Sequence, residues 1–175
     1  MTSMCVYGFV AIIFVIRLYF LRVSKQNEAR IVADGGREYG AFNSKLMAIV
    51  RVLIYFGALG EFYYLDRSVN SLTFTGMGLV VFSMYMLYMV SRLLSPIWTV
   101  KLMVAKNHQY VDHWLFRNIK HPNYFLNIVP ELVGIILVCQ AWYTARLLLP
   151  IYAIIMYIRI IEENKIIELL KVESF

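Results

Sequence analysis

Apolar residues in this chain are gathered into five runs, Cys5–Leu21, Leu46–Leu65, Leu72–Val90, Phe125–Gln140 and Thr144–Ile158. Each approaches the roughly 20 residues that carry a helix across a bilayer. Backbone groups in hydrocarbon must bond within their own segment, so the runs are expected to be helices, and an open sheet is excluded. Only Ala141-Trp142-Tyr143 joins the last two runs, which predicts a tight antiparallel hairpin.

The polar positions cluster in two connections and a tail. In residues 22–45, Ser24 to Val32 can continue the first helix, and Asp34-Gly35-Gly36 is a turn signal that stops it. In residues 92–124, Pro96 breaks the helix, Trp98 to Ala105 is apolar enough for the membrane interface, and His108 to Lys120 is mixed. The tail, RIIEENKIIELLKVESF, repeats apolar residues at Ile160, Ile161, Ile166, Ile167, Leu169 and Leu170, the spacing of an amphipathic helix. No repeat or linker divides the chain. The expected fold is an all-α integral membrane protein, one domain over residues 1–175, with about five transmembrane helices and a C-terminal cytosolic amphipathic helix.

Composition agrees. Hydrophobic residues make up 61% of the chain, against about 45–50% in soluble domains. Charge orients it. Arg22, Lys25, Arg30, Arg37 and Lys45 occupy the first connection, and Arg92, Lys101, Lys106, Arg117 and Lys120 the second. Arg159, Lys165 and Lys171 follow the last run, whereas the opposite side has only Arg67 and Arg146. Positive residues stay inside, so the N-terminus is expected outside and the C-terminus in the cytosol. The net charge of +6 is this topological signal and not a nucleic-acid footprint. With no basic n-region or small-residue cleavage site, the first run reads as a retained helix, and a prokaryotic plasma membrane is the expected location. Cys5 and Cys139 have no metal-ligand spacing, and nothing in the sequence requires them to pair.

Candidate chemistry concentrates on the cytosolic face. Of the ionisable residues inside apolar runs, Arg17 and Arg51 lie near cytosolic ends and can snorkel. Glu61 lies near an outer end and can reach water. Glu131 follows Pro130 some two turns into the fourth run, where a kinked helix bearing a carboxylate would make a pocket wall. His121 precedes Pro122 and is therefore pushed toward extended geometry, leaving backbone groups open to a ligand. Tyr124 and Asn127 share a helical face, as do Arg159, Glu162 and Glu163. The latter trio is either a surface ion pair or an attractor of cations. His108, His113 and His121 lack metal-site spacing, and neither a phosphate loop nor G-x-S-x-G occurs, so hydrolase and nucleotide-triphosphatase readings lose support.

Lys120-His121-Pro122-Asn123-Tyr124, followed after one hydrophobic hairpin by Arg159-Ile160-Ile161-Glu162-Glu163, resembles the isoprenylcysteine carboxyl methyltransferase family over roughly Trp98 to Leu170. Trp98-Thr99 and the stretch His108 to Val111 look like that family's lead-in, and Asn27-Glu28 with Arg37-Glu38-Tyr39-Gly40 is similar to a bacterial branch whose members include methyltransferases acting on polyketide alkylpyrones. The resemblance implies a cytosol-facing pocket for S-adenosylmethionine, with His121, Pro122, Tyr124 and Asn127 on the cofactor and Glu162 and Glu163 across from them. Arg159, the candidate catalytic residue, would orient either the acceptor's anionic oxygen or the cofactor's carboxylate, and Glu131 would bind substrate. The implied partners are membrane lipid and a lipophilic small molecule or lipidated substrate entering from the bilayer, with no nucleic acid and no metal.

Three departures stand out. Lys120 replaces the commoner arginine, Asp112-His113-Trp114-Leu115-Phe116 lacks the usual glycine, and the chain ends at Phe175, short of the tail many relatives carry. Methyl transfer from a sulfonium to a carboxylate or enolate is a displacement that needs no metal, and in-line positioning supplies up to about 7–11 kcal/mol. The acceptors that fit are a prenylcysteine-like carboxylate, a polyketide pyrone and, third, a phospholipid amine. A non-catalytic scaffold that kept the fold is the rival from another class, and a small transporter is a further one.

Overall fold

The computed structural model describes residues 3–104 and 114–173, so Lys106 and the stretch His108 to His113 lie outside the described residues, as do the side chains of Trp114, Phe116 and residues 169–173, Leu169, Leu170 and Lys171 among them. The elements are α1 (Met4–Ala33), β1 (Arg37–Tyr39), α2 (Ala41–Tyr64), α3 (Ser71–Leu93), β2 (Leu102–Val104), α4 (Trp114–Asn118), a π-helical segment (Asn123–Ile128), α5 (Val129–Cys139) and α6 (Trp142–Glu173).

Four of these helices, α1, α2, α3 and α6, are long and apolar enough to cross a membrane. They leave large apolar side chains uncovered along their lengths, among them Ile12, Leu53, Phe74, Val81, Leu147 and Ile154. Contiguous exposed apolar surface of this kind needs lipid around it. With 30 and 32 residues, α1 and α6 are about 45 and 48 Å long and outrun a hydrocarbon core of about 30 Å. The first helix therefore does continue through Ser24 to Val32, and the expected C-terminal amphipathic helix is the continuous end of α6.

The fourth apolar run behaves differently. The π-helical segment and α5 together make a shorter apolar helix, Asn123–Cys139, and α5 buries Glu131, Leu132, Gly134, Ile135, Ile136, Val138 and Cys139. It is the central pillar of the bundle, walled by its neighbours. Its closest partner is α3, where a Cβ on Gly76 would lie 2.6 Å from the Gly134 carbonyl oxygen and 2.6 Å from the Val138 nitrogen. Small residues that let backbones approach are how helices associate where lipid removes the hydrophobic drive. Pro130 lies inside the continuous helix Asn123–Cys139, with Ile128 and Val129 already helical before it, and its missing N–H leaves one ladder position empty. The ladder widens just before it, with the Val129 amide donating to the Tyr124 carbonyl.

Away from the long connections, the starts of α3 and α6 are capped by side chains. Asn70 Oδ1 accepts from the amides of Leu72 and Thr73 to start α3. Glu61, expected to reach water, instead accepts from the amides of Tyr143 and Thr144 at 3.1 and 2.8 Å. A carboxylate there complements the positive end of the α6 dipole. Gln140 takes φ 51° to close the α5–α6 hairpin at the expected position. Cys5 is exposed, Cys139 is buried, and neither forms a disulfide.

The all-α expectation is corrected at the opposite end. There β1 and β2 pair antiparallel, with Glu38 opposite Met103. Each is three residues long, too short for periodicity to reveal, and the pairing joins the two polar connections into one cap. Asn27 Nδ2 donates to the Trp98 carbonyl at 2.8 Å and Ser24 Oγ accepts from the Val100 amide at 2.9 Å, tying the projecting end of α1 to the same cap.

Candidate active site

Two cavities meet beneath this cap. The first, about 280 Å³, lies among the ends of α3 and α6, the β2 segment and the chain leading into the π-helical segment. Its polar side is His121, Tyr124, Arg159 and Glu163, with Lys101 and Lys120 also lining it; Leu94, Ile97, Ile166 and Ile167 make apolar wall. His121 is outside the helices, as expected of a residue before proline, but its carbonyl is not open to a ligand, because it accepts from the amides of Tyr124 and Phe125. Its ring is fixed by α6. Nε2 lies 3.1 Å from Asn164 Oδ1, and Nδ1 lies 3.3 Å from Glu163 Oε1 without the alignment of a hydrogen bond. The Glu163 carboxylate raises the His121 pKa above the usual histidine value, overcoming burial, which acts the other way.

The second cavity, about 210 Å³, runs deeper between α1, α2 and α5. It shares Trp98, Val100, Asn123, Tyr124 and Arg159 with the first, so these residues form a common wall. Its floor is a buried polar network. Glu131, 0% exposed, accepts from Arg17 Nε at 2.7 Å, from Arg17 Nη2, and from the Tyr55 hydroxyl at 2.5 Å. Arg17 Nη2 also donates to Asn127 Oδ1 at 2.6 Å, and Asn127 Nδ2 donates to Asn123 Oδ1 at 2.8 Å. Ser83 Oγ of α3 donates to the Asn127 carbonyl at 2.7 Å. Arg51 Nη2 donates to the Tyr152 hydroxyl at 3.1 Å.

The sequence-predicted residues divide between these spaces. His121, Pro122, Tyr124, Arg159 and Glu163 line the first cavity. Asn127 and Glu131 line the second, apart from the first. Glu162 lines neither; its Oε1 accepts from Asn43 Nδ2 at 2.6 Å and its Oε2 lies 4.0 Å from Arg159 Nη1. Arg159, 2% exposed, donates from Nη1 to the Gly40 carbonyl at 3.0 Å and to the Tyr39 carbonyl at 3.3 Å. Gly40 permits this. It holds φ +58°, and a Cβ on it would lie 2.8 Å from Arg159 Nη1 and 2.3 Å from Glu162 Oε2. The upstream motif therefore belongs to the site, since Glu28 and Glu38 hold Lys101 at 3.2 and 3.0 Å while Tyr39 and Gly40 hold Arg159.

Arg17 and Arg51, expected to snorkel, turn inward, and their roles were missed along with those of Tyr55, Tyr152 and Asn164. A signal for Arg17 exists: it continues the buried series Val6, Val10, Ile13 at helical spacing. Arg51 likewise falls between Met47, Ile54 and Ala58 on the buried side of α2.

Comparison with known proteins identifies the family. The family model described as the isoprenylcysteine carboxyl methyltransferase family matches residues 76–168, from Gly76 in α3 to Glu168 in α6. An uncharacterized protein of Haemophilus influenzae is 43% identical over 88% of this chain and 90% of its own length. The uncharacterized protein YpbQ of Bacillus subtilis is 25% identical over 91% of this chain and 94% of its own. No solved structure matches significantly. With more than half its length inside the family model, on the segment that supplies both sides of the first cavity, the chain belongs to the isoprenylcysteine carboxyl methyltransferase family.

Proposed function

We propose that the chain is an S-adenosylmethionine-dependent methyltransferase that O-methylates a lipophilic acceptor, a prenylcysteine-like carboxylate or a polyketide pyrone, at the cytosolic face of a prokaryotic plasma membrane. The observation that carries this reading is the common wall. A polar cavity open toward the cap and a deeper apolar one meet at Tyr124 and Arg159, as a two-substrate transfer requires.

The residues of the first cavity fit the cofactor. Trp98 Nε1 is buried with no hydrogen-bond partner among the described residues, and a buried donor of this kind calls for a partner. Glu163 supplies a carboxylate to the cavity lining, and the apolar walls suit a nucleoside. When bound, S-adenosylmethionine supplies a methyl group on a cationic sulfur. His121, Pro122, Tyr124 and Glu163 would hold it, Arg159 would orient charge at the common wall, and Glu162 would act through Arg159. The surrounding apolar side chains keep water out, which protects a reactive methyl donor from side reactions.

The orientation follows from the same end of the bundle. Both polar connections and the end of α6 converge there, bringing most of the Lys and Arg to the site side. That side is cytosolic by the positive-inside rule, and Asn123–Cys139 is then the fifth crossing.

Calorimetric titration of the detergent-purified protein with S-adenosylhomocysteine tests the reading. We expect saturable binding that weakens at least about tenfold in His121→Ala and Glu163→Ala, each of which removes a charged-group contact. Arg67→Ala, at the other end, should change nothing. No binding by a demonstrably folded sample, or equal affinity in all variants, would overturn the pocket and favour the scaffold.

A further inference from the structure

Asn123 opens the π-helical segment and lines both cavities. An amide can present either its oxygen or its nitrogen to a ligand, and here the buried network decides which. Arg17 is held on Glu131 and can only donate, so the atom of Asn127 that its Nη2 meets at 2.6 Å is the carbonyl oxygen. The other end of Asn127 is then Nδ2, a donor, and the atom of Asn123 that it meets at 2.8 Å is Oδ1. Asn123 Nδ2 is left over. It has no hydrogen-bond partner among the described residues, on a half-buried side chain at the wall between the cavities.

The lock is firm because its members are buried. Glu131 and Asn127 are both inside the bundle, and turning the Asn123 amide over would set donor against donor there. Arg17, Asn127 and Glu131 all line the second cavity, so the orientation is imposed from that cavity's floor. Arg159, the cation of the wall, spends Nη1 on the carbonyls of Tyr39 and Gly40. A neutral amide can orient an anionic oxygen through directed N–H bonds without moving a proton, which leaves that oxygen nucleophilic.

We propose that Asn123 Nδ2 is a substrate-binding donor that holds an anionic oxygen of the methyl acceptor at the wall, with Asn127 and Arg17 as the positioning residues that keep the nitrogen outward. The assignment rests on the methyltransferase reading and adds to it a residue to which the sequence gave no role. It also moves Asn127 from the cofactor to the acceptor, on which it acts through Asn123.

The test is calorimetric titration of the full chain in nonionic micelles, without cofactor. The probes are N-acetyl-S-farnesylcysteine and an alkylated hydroxypyrone, and S-adenosylhomocysteine is titrated in parallel. Asn123→Ala removes the donor without adding charge, and Asn123→Asp keeps the acceptor for Asn127 while turning an oxygen outward. Asn127→Leu removes the lock and leaves Arg17 on Glu131. We expect at least one probe to bind, to weaken at least about tenfold in Asn123→Ala and further in Asn123→Asp, and to weaken about threefold or more in Asn127→Leu. Unchanged probe affinity in the folded Asn123 variants would overturn the proposal. A larger loss for S-adenosylhomocysteine than for the probes would overturn it too, by giving the amide to the cofactor. Loss in the Asn123 variants with none in folded Asn127→Leu would overturn the lock; should Asn127→Leu not fold, the two Asn123 variants decide. Asn123-dependent probe binding without S-adenosylhomocysteine binding would sink the methyltransferase reading and leave the donor standing. S-adenosylhomocysteine binding with neither probe bound would sink the donor alone, and no binding of any of the three would overturn both.

Discussion

His121 shows how one side chain ties the site together. It is held between Asn164 and Glu163 of α6 while its own chain enters the π-helical segment, so the ring joins the two halves of the family motif. Because Glu163 raises its pKa, the charged form is favoured in the folded protein. The sign follows from linkage: a raised folded value means stability fully present below the ordinary 6.5 and lost as pH rises through the raised value. The melting temperature of the wild type relative to His121→Gln should therefore be highest in acid and decline above that ordinary value. A difference that grows with pH would show that the pairing with Glu163 is absent. Glu131 illustrates the opposite case. Its position after Pro130 marked a pocket wall, and it does line a cavity, but its oxygens are taken by Arg17 and Tyr55. No spacing rule reaches partners 114 and 76 residues away.

At the level of elements, the bundle is organised by the crossing of α3 and α5. Gly76 has no room for a side chain against Gly134 and Val138, whereas Gly78, two residues on, has nothing within 4 Å. Gly76→Leu should destabilise by roughly 1–3 kcal/mol or more through overpacking, whereas Gly78→Leu should be tolerated. Thermal melting in detergent distinguishes them; equal effects would mean the helices do not pack this closely. The long helices were legible because apolar runs and caps are local, and Asp34-Gly35-Gly36 ends α1 as expected. The β1–β2 ribbon was not, since three-residue strands carry no period and pair across intervening α2 and α3.

For the whole molecule, the site lies at the end of the bundle where both polar connections and the end of α6 converge. With Cys5 and Cys139 replaced by serine, Lys25→Cys should react with a membrane-impermeant maleimide only after cells are opened, and Asp66→Cys in intact cells. The reverse pattern would invert the proposed topology. The sequence by itself determined the membrane as solvent, the helical class, the hairpin and the family motif, because hydrophobic run length, charge asymmetry and contiguous motifs are properties of neighbours along the chain. Tertiary structure alone decided which charges face inward. Arg17 and Arg51 sit at depths from which a flexible side chain can either reach the interface or turn into the bundle. The turn inward was settled by Glu131, Asn127 and Tyr152, which lie on α5, the π-helical segment and α6 and supply polar partners that lipid cannot.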